Sequence, residues 1–421
     1  MPEFRAPTGT RDVLPPESAR WARLIALFAT LAEQAGYGLV VSPMFEDIGV
    51  FERVGESTDI VRKEMYDFQD KGDRHLALRP EGTASVVRAF IEHHPATPWK
   101  TYYVAPSFRY ERPQAGRYRQ HHQLGAEAIG TDDPGVDVEI ITLLDRVYRA
   151  VGLRQRTLRL NSIGDATSRP AYIEALREHF GAHHDALSEQ SKVTLRANPL
   201  RVLDSKRPED ASVIATAPRT IDYLSDEAAA HFDRVQSGLK AVDVPFVIDP
   251  LLVRGLDYYA RTTFEFASDA LDSAQNAIGG GGRYDGLAEQ LGGSPTPGIG
   301  FGAGIERILL ACDAEGVFGA PDSTVDVWVI DTTGGEQALA LTHELRAAGV
   351  SADRSFDRRS MKSQMKAADR SGARIAVIVG SDELASSTVT VRDLRHTGAE
   401  GEPGQQAIPR QEVIDYVRKS L

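Results

Sequence analysis

Alternating glycines near residue 300 constrain the fold more strongly than any other feature of this 421-residue sequence. In the segment GIGFGAGIERILL, residues 298–310, a strand would place Gly298, Gly300, Gly302 and Gly304 on one face and leave that face bare. The residues that follow are apolar at helical spacing, so the strand is predicted to run into a helix. The bare face predicts either a flat ligand close to the backbone or a helix packed tightly against the sheet.

The first 320 residues predict a sheet-based domain that contains an insertion. A helix is predicted at residues 17–35, and two strands are predicted at 100–111 and 121–130. Between about 164 and 240, short helical pieces are broken by polar turns, after which strand patterns resume. We interpret this stretch as a helical insertion inside one domain that spans residues 1–320.

Residues 325–421 predict a second domain of different character. Apolar strands are predicted at Val325–Asp331 and Ile375–Val379, helices lie between them, and a hairpin is predicted across the Gly/Pro-rich turn at 398–404. Strands that alternate with helices over about 100 residues are typical of a compact α/β module. The boundary is expected near residues 319–324.

The composition predicts a cytoplasmic protein without a membrane partner. No stretch approaches the roughly 18 apolar residues that a membrane helix needs, and the N-terminal segment lacks the apolar core of a signal peptide. Cys312 is the only cysteine, which excludes an intramolecular disulfide and any multi-cysteine zinc site.

The charge distribution argues against a protein that coats nucleic acid without specificity, because the net charge is −12. Two stretches are nevertheless basic. Residues 109–119 carry four arginines against one glutamate, and residues 351–374 carry seven basic residues against three acidic ones. Each stretch is either a solvated face or a surface that contacts phosphates.

Several common site motifs are absent from the sequence. It contains no G-x-x-x-x-G-K-[ST] phosphate loop, no G-x-S-x-G elbow and no H-E-x-x-H motif. The histidines of the pairs 93/94, 121/122 and 183/184 are adjacent, so their side chains diverge instead of gripping one metal ion. Metal ligands therefore stay unassigned.

Two segments carry arginines in positions that suggest chemistry. In a strand, Arg109 and Glu111 share a face and form either a plain ion pair or, with the nearby arginines, a polyphosphate clamp. Arg254 lies within an apolar run, which is costly unless its charge meets an anion. That anion is either a substrate or a neighbouring carboxylate, Asp257 or Glu265.

Taken together, three segments resemble class II aminoacyl-tRNA synthetases and, in particular, histidyl-tRNA synthetases. PSFRYER at 106–112 is similar to motif 2, GFGAGIERI at 300–308 is similar to motif 3, and LVRGLDYYARTTFE at 252–265 looks like the histidyl signature peptide. Further matching segments are LRPEGT, GRYRQ, HQLGAEAIG, NPLRVLDSK and GGRYDGL. The resemblance spans the chain from GTRDVLP to the C-terminal module.

The resemblance implies an α+β fold, in which helices flank a class II antiparallel sheet that carries the insertion. It implies that the C-terminal α/β domain binds the tRNA anticodon. It also implies a homodimer whose interface uses motif 1, around residues 17–43, with Pro43 at its end.

The implied activity is ligation of histidine to tRNA(His) with ATP, through a histidyl-adenylate. Arg109 and Arg254 would act at the α-phosphate and Arg307 at the γ-phosphate, so these three are the expected catalytic residues. Glu111 would contact the adenine amino group. Further ATP contacts are expected from Arg117, Arg119 and His121, although His121 stands where the family often has phenylalanine. Mg²⁺ is expected to accompany ATP.

The resemblance also implies which residues select histidine. The expected histidine contacts are Glu81, Thr83, Gln123, Glu127, Arg254, Tyr258 and Tyr259. The first three would address the amino group, and Glu127 and Tyr259 would meet the ring nitrogens. Glu81 and Thr83 have a second interpretation, because they could simply cap a helix that begins near Thr83.

Transfer RNA is the expected macromolecular partner. Gln114 and Arg117 in the motif 2 loop would contact the acceptor end. In the last domain, the expected phosphate contacts are Arg354, Arg358, Arg359, Lys362 and Lys366. Two alternatives stay open: a non-catalytic histidine-binding paralogue that regulates ATP phosphoribosyltransferase, and a dimeric scaffold built on an inactive synthetase core.

Overall fold

The structure is a computed structural model. It describes residues 3–55, 60–271, 276–321, 325–356, 359–397 and 403–421. Two units separate by their internal contacts, Met1–Gly319 and Ala320–Leu421.

The first unit contains both helices and strands. Its helices are α1 Glu17–Gln34, α2 Gly49–Gly55, α3 Thr83–His93, α4 Pro134–Ala150, α5 Arg169–Ala182, α6 Glu189–Ala197, α7 Ala211–Ala215, α8 Asp226–Ala241, α9 Leu287–Gln290 and α10 Ile305–Glu315. Its strands are β1 Gly38–Leu39, β2 Phe45–Asp47, β3 Tyr66–Gln69, β4 His75–Leu78, β5 Trp99–Phe108, β6 Gln120–Ile129, β7 Arg156–Ser162, β8 Val247–Ile248, β9 Ala260–Ser268, β10 Ala277–Arg283 and β11 Gly298–Gly304. Short 3-10 turns lie at His184–Ala186, Pro199–Asp204, Pro208–Asp210 and Thr220–Tyr223, and a π turn lies at Ile60–Glu64.

Eight strands form the central sheet in the order β1-β5-β6-β11-β10-β9-β7-β8. The two edge pairs, β1 with β5 and β7 with β8, are parallel, and all the pairs between them are antiparallel. A small antiparallel sheet, β2-β4-β3, lies beside it. The predicted α+β class is confirmed, and the strands that carry motif 2 and motif 3, β5 and β11, lie on either side of β6, which pairs with both.

Apolar side chains at helical spacing bury α1 and α4 against the sheet. Leu24 and Phe28 of α1 meet Ile140 and Leu144 of α4 in one cluster that includes Phe301 of β11, and each is at most 1% exposed. Burial of one such side chain stabilises a fold by roughly 1.5–3 kcal/mol. These helices therefore fix the sheet that carries the candidate site.

One charged pair lies inside this core. Arg283 of β10 is fully buried and donates from Nη2 to Asp137 Oδ2 of α4 at 2.6 Å and from Nε to both carboxylate oxygens. An unpaired charge at this depth would be strongly destabilising. The pair therefore ties β10 to α4. Cys312 of α10 is also buried, and burial raises the pKa of its thiol to about 12.

The stretch interpreted as a helical insertion folds as α5 to α8, whose side chains form an apolar cluster of their own. Tyr172, Leu176 and Phe180 on one face of α5 pack with Val202 and Val213, all at most 3% exposed. Two partly buried side chains at the start of the segment that resembles the signature peptide, one just before it and one within it, join this cluster. They are Leu251 and Val253.

The second unit is a five-stranded sheet with helices. Its strands are β12 Val327–Asp331, β13 Ala352–Arg354, β14 Ile375–Val379, β15 Thr388–Thr397 and β16 Pro403–Pro409, and its helices are α11 Glu336–Ala347, α12 Met361–Arg370, α13 Ser381–Ser386 and α14 Val413–Ser420, which follows a 3-10 turn at Arg410–Glu412. The order is β13-β12-β14-β15-β16, parallel among the first three strands and antiparallel among the rest.

The predicted hairpin is confirmed by the pairing of β15 with β16, although residues 398–402 of its turn lie outside the described residues. The short elements β13 and α13 were not predicted. Within the described ranges, no helix has the length and apolar character to cross a membrane.

Candidate active site

A cavity of about 260 Å³ opens in the first unit beside the central sheet. Its wall includes seven of the residues that the sequence singled out. They are Arg109, Glu111, Arg117, His121, Gln123, Arg254 and Arg307. Backbone of β10 and β11 completes the wall at Gly279, Gly302 and Gly304. Three arginines that are far apart along the chain therefore meet at one cavity.

Two of these arginines are held by backbone carbonyl groups. Arg109 follows the end of β5 and donates from Nε to the carbonyl oxygen of Pro80 at 2.9 Å. Arg307 lies in the first turn of α10 and donates from Nη1 to the carbonyl oxygen of Ala277 at 2.9 Å. Burial lowers the pKa of Arg307, and the nearby charge of Arg117 adds to that effect. Both guanidinium groups are thus pre-oriented cations, which suits an anionic ligand.

The third arginine, Arg254, is anchored by a carboxylate. Its Nη1 lies 2.5 Å from Glu265 Oε2 on β9, so one of the two ion pairs left open by the sequence is present. The other candidate, Asp257, pairs with Arg201. The Arg254 Nε atom is buried without a hydrogen-bond partner. A free, buried donor of this kind is costly, and an arriving anion would satisfy it.

The bare strand faces make room for side chains from neighbouring elements. A Cβ atom at Gly300 would overlap the carboxylate of Glu127, its register partner on β6. A Cβ atom at Gly282 would lie 3.0 Å from the ring of Tyr259. The glycines of these two strands therefore let polar groups of the site lie directly on the backbone of β10 and β11.

Glu127 is the centre of a buried polar cluster. Thr83 Oγ1 donates to its Oε1 at 2.7 Å, Tyr284 donates to its Oε2 at 2.7 Å, and Tyr103 lies at 3.4 Å from Oε1. Burial raises the pKa of Glu127 to about 8 despite these donors. Tyr284 was not predicted, although it stands in the GGRYDGL segment. Its hydrogen bond to Glu127, which the sequence does not show, places it in the site.

Glu81 lies at the start of α3 and acts as a cap there. Its carboxylate accepts from the backbone N–H of Thr83 at 2.6 Å and of Ala84 at 2.8 Å. The Tyr258 hydroxyl lies 3.4 Å from the same carboxylate. Burial raises the pKa of Glu81. The capping interpretation therefore holds for Glu81, and its carboxylate also faces the tyrosines of the signature segment.

The motif 2 loop is folded onto its own residues. Arg117 Nε lies 2.5 Å from Glu111 Oε2, and Gln114 forms an isolated bridge with Arg117. Arg119 does not line the cavity: its guanidinium stacks 3.9 Å from the ring centroid of Tyr110, and its Nε donates to the Glu111 carbonyl oxygen. The loop thus holds Arg117, but not Arg119, at the cavity.

His121 and Gln123 extend along β6 towards this loop. Burial, together with the charge of Arg109, lowers the pKa of His121 to about 3. The ring is therefore neutral near pH 7 and presents an uncharged aromatic surface. Gln123 Oε1 accepts from Ser107 Oγ at 3.3 Å, which orients its amide on the cavity wall.

In the second unit, an aromatic ring lies among the basic residues. Phe356 is 59% exposed, and the Arg354 guanidinium lies 4.6 Å from its ring centroid. Arg359 lies just before α12, and Lys362 and Lys366 lie within that helix. The remaining predicted contact, Arg358, lies outside the described residues.

Metal ligands do not cluster in the part of the chain that the structure describes. There, no group of three or more His, Cys, Asp or Glu side chains is arranged to hold a metal ion.

Comparisons with known proteins match both units. A family model described as histidyl-tRNA synthetase matches residues 9–308, and one described as an anticodon binding domain matches residues 324–420. Histidine–tRNA ligase of Rhodococcus erythropolis is 50% identical over 419 residues, which covers 98% of this chain and 97% of that protein. The enzyme of Nocardia farcinica is 49% identical and covers 99% and 98%.

A solved structure shares the architecture. Apo histidyl-tRNA synthetase of Staphylococcus aureus superposes with a TM-score of 0.82 at 36% sequence identity, covering 99% of this chain and 100% of that one. Since the family model spans most of the chain and the relatives align over nearly their whole length, the chain belongs to the histidyl-tRNA synthetase family.

Proposed function

We propose that the chain is a histidine–tRNA ligase. It activates L-histidine with ATP to histidyl-adenylate, then transfers histidine to the 3′-terminal adenosine of tRNA(His) and releases AMP and diphosphate. The observation that carries this proposal is the meeting of Arg109, Arg254 and Arg307 at one cavity, whose wall also includes Gln123 on the strand that carries Glu127.

In the first step, a histidine carboxylate oxygen attacks the α-phosphorus of ATP, and the bond to diphosphate breaks. Negative charge grows on the α-phosphate oxygens during this step. Arg109 and Arg254 stabilise that charge, and Arg307 holds the γ-phosphate. These cations are already anchored, so they do not reorganise during the reaction.

The nucleoside end of ATP lies on motif 2. The neutral ring of His121 stacks on adenine, and Glu111 accepts from the adenine amino group. Glu111 is held by Arg117 in this structure, so Arg117 turns from Glu111 to the phosphates or to the tRNA acceptor end when ATP binds. Arg119 takes part in the same contacts only after it leaves Tyr110. Mg²⁺ arrives with the ATP phosphates as part of the substrate.

Histidine is recognised by groups that match both of its ends. Glu127 and Tyr259 pair with the two imidazole nitrogens, and Tyr258 lines the ring. At the other end, Glu81, Thr83 and Gln123 accept from or orient the ammonium group. Sites of this kind reject analogues without matching polar atoms by roughly 10⁴–10⁵ in favourable cases, because buried groups would be left unpaired.

The second unit binds the tRNA anticodon stem and loop. One face of Phe356 lies under Arg354, and the exposure of the ring supports stacking of an anticodon base on its other face. Phosphates are contacted by the basic residues around it. These are Arg354, Arg358, Arg359, Lys362 and Lys366. At the other end of the tRNA, Gln114 and Arg117 meet the acceptor.

The protein acts as a homodimer in the cytoplasm. Four large apolar side chains from the end of β1 to the start of β2 are at least half exposed, which supports a subunit interface at and just after the end of motif 1. They are Leu39 at 60%, Val41 at 84%, Met44 at 51% and Phe45 at 50%. A second copy of the same surface would cover them.

Histidine-dependent exchange of labelled diphosphate into ATP tests the proposal. We expect robust exchange with histidine and none with tyrosine or phenylalanine. The competing function, a histidine-binding regulator of ATP phosphoribosyltransferase, predicts histidine binding without exchange. Exchange that is absent from a folded, histidine-binding protein would favour that regulator.

A further inference from the structure

The loop that carries Arg254 has no regular secondary structure of its own. We call residues 249–259 the signature loop; it joins β8 to β9 and contains neither helix nor strand. The loop nevertheless supplies Arg254, Tyr258 and Tyr259 to the candidate site. Its geometry must therefore be fixed by other elements.

Several hydrogen bonds to the signature loop come from the insertion. Arg201, in the 3-10 turn after α6, donates from Nη1 to the Arg254 carbonyl oxygen at 3.0 Å and from Nη2 to Asp257 Oδ1 at 2.8 Å. Asn198, which caps the same turn, donates to that Asp257 oxygen at 3.2 Å. Arg169 of α5 donates to the Tyr259 carbonyl oxygen at 3.0 Å.

The positions of these hydrogen bonds along the signature loop show which part of its backbone they fix. One guanidinium, that of Arg201, binds the loop on both sides of Gly255, before it at Arg254 and after it at Asp257. Glycine is the residue with the greatest backbone freedom, so the chain at Gly255 depends on outside contacts to hold one conformation. Arg169 adds a fixed point at the other end of the pocket-forming stretch, at Tyr259.

Packing supports the same conclusion. Leu251 and Val253 of the loop are partly buried against the apolar cluster of the insertion, and Arg201 and Asp257 are only 15% and 25% exposed. Charge-assisted hydrogen bonds in such partly buried surroundings are stronger and more directional than neutral ones. The insertion therefore packs against the signature loop and supports it.

We propose that the insertion positions the catalytic loop: Arg201, assisted by Asn198 and Arg169, holds Arg254 and Tyr259 in the geometry that activates histidine. This inference rests on the proposed function. Arg201 is a positioning residue, since it lies outside the cavity wall and acts through Arg254. The adenine-binding and γ-phosphate-binding groups lie in the motif 2 loop, on β6 and on α10, outside the signature loop.

The test compares Arg201→Ala with Arg196→Ala in histidine-dependent diphosphate exchange by the full chain. Arg196 is exposed near the end of α6, so its removal changes the same charge on the same insertion. Misplacement of a reacting group by about 1 Å costs on the order of 10²-fold, so we expect kcat of Arg201→Ala to fall by about 10- to 100-fold. The KM of Arg201→Ala for ATP should stay within about two-fold of the wild-type value. The kcat and KM values of Arg196→Ala should also stay within about two-fold of wild type.

Chemical rescue separates positioning from general damage. Millimolar guanidinium ion, far below denaturing concentrations, should restore part of the exchange activity of Arg201→Ala and leave Arg196→Ala unchanged. Arg201→Ala with the kinetics of Arg196→Ala would overturn the inference. Loss of activity without rescue, or with an equal rise in the KM for ATP, would overturn it as well.

A second variant covers a failure of Arg201→Ala to fold. Asp257→Asn weakens the same contact and keeps the guanidinium: reduced kcat at unchanged KM for ATP supports the inference, and wild-type kinetics contradict it. If the wild-type chain itself shows no histidine-dependent exchange, the proposed function fails instead.

Discussion

Replacement of Arg254 by alanine should remove two contributions that can be measured separately. In the folded chain its guanidinium pairs with Glu265 at 2.5 Å, and in the reaction it is proposed to meet the α-phosphate and the histidine carboxylate. Loss of one fixed group that stabilises transition-state charge costs on the order of 10²–10³ in rate, equivalent to about 2.7–4 kcal/mol. We expect histidine-dependent exchange to fall by at least that factor.

The same change leaves Glu265 without its partner. Breaking a fully buried pair costs about 3–5 kcal/mol, whereas an exposed pair contributes about 0–1 kcal/mol. The two side chains are 21% and 17% exposed. An intermediate loss of roughly 2 kcal/mol in the free energy of unfolding follows for Arg254→Ala, measurable by urea titration.

The double variant Arg254→Ala with Glu265→Gln distinguishes the two contributions. It removes the uncompensated carboxylate, so the free energy of unfolding should recover while exchange stays low. Recovery of exchange together with stability would refute the reasoning, because Arg254 would then serve only to neutralise Glu265. Wild-type exchange in the single variant would refute it too.

Two further predictions concern other parts of the site. The pKa of Glu127 is raised from 4.5 to about 8, so between these pH values the folded chain keeps a proton that the unfolded chain releases. The free energy of unfolding should therefore fall as the pH rises through this interval, by about 3–5 kcal/mol. Glu127→Gln should remove that fall, which urea titrations at acid and at mildly alkaline pH would measure. If the free energy of unfolding of Glu127→Gln varied with pH as that of the wild type does, this prediction would be wrong. Phe356→Ala should raise the KM for tRNA by about 5- to 150-fold, the value of one base–aromatic stack, without changing diphosphate exchange. Leu384→Ala, which removes another exposed apolar side chain of the second unit, is its control, and equal effects of the two would exclude stacking.

Helices and strands whose apolar residues follow a clear pattern were predictable from the sequence. The helix predicted at 17–35 is α1, which ends one residue earlier, and the strand predicted at Ile375–Val379 is β14 without change. In contrast, β10 was missed, since four successive glycines in AIGGGGR show neither alternation nor β-branched residues. Its identity as a strand comes from its neighbours β9 and β11, which supply the hydrogen bonds.

The same distinction applies to the candidate site. Arg109, Arg254 and Arg307 stand within recognisable motifs, so their assembly at one cavity was expected. Tyr284 and Arg201 also lie in segments that resemble the family, GGRYDGL and NPLRVLDSK, but those segments do not show what the two side chains contact, because their partners stand 157 and 53–56 positions away along the chain. Asp257 illustrates the limit: its proximity in sequence suggested a pair with Arg254, but the fold brings Arg201 to it instead.

The bare face of β10 and β11 limits how the amino acid preference of this scaffold could be redesigned. A methyl group at Gly300 would lie 2.6 Å from the carbonyl oxygen of Ala126, and one at Gly282 would lie 2.5 Å from the carbonyl oxygen of Thr262. Neither clash is relieved without shifting a strand of the central sheet. Mutational libraries aimed at a new amino acid should therefore leave these two strands untouched and vary β6, α3 and the segment around Tyr259, where side chains alone define the chamber.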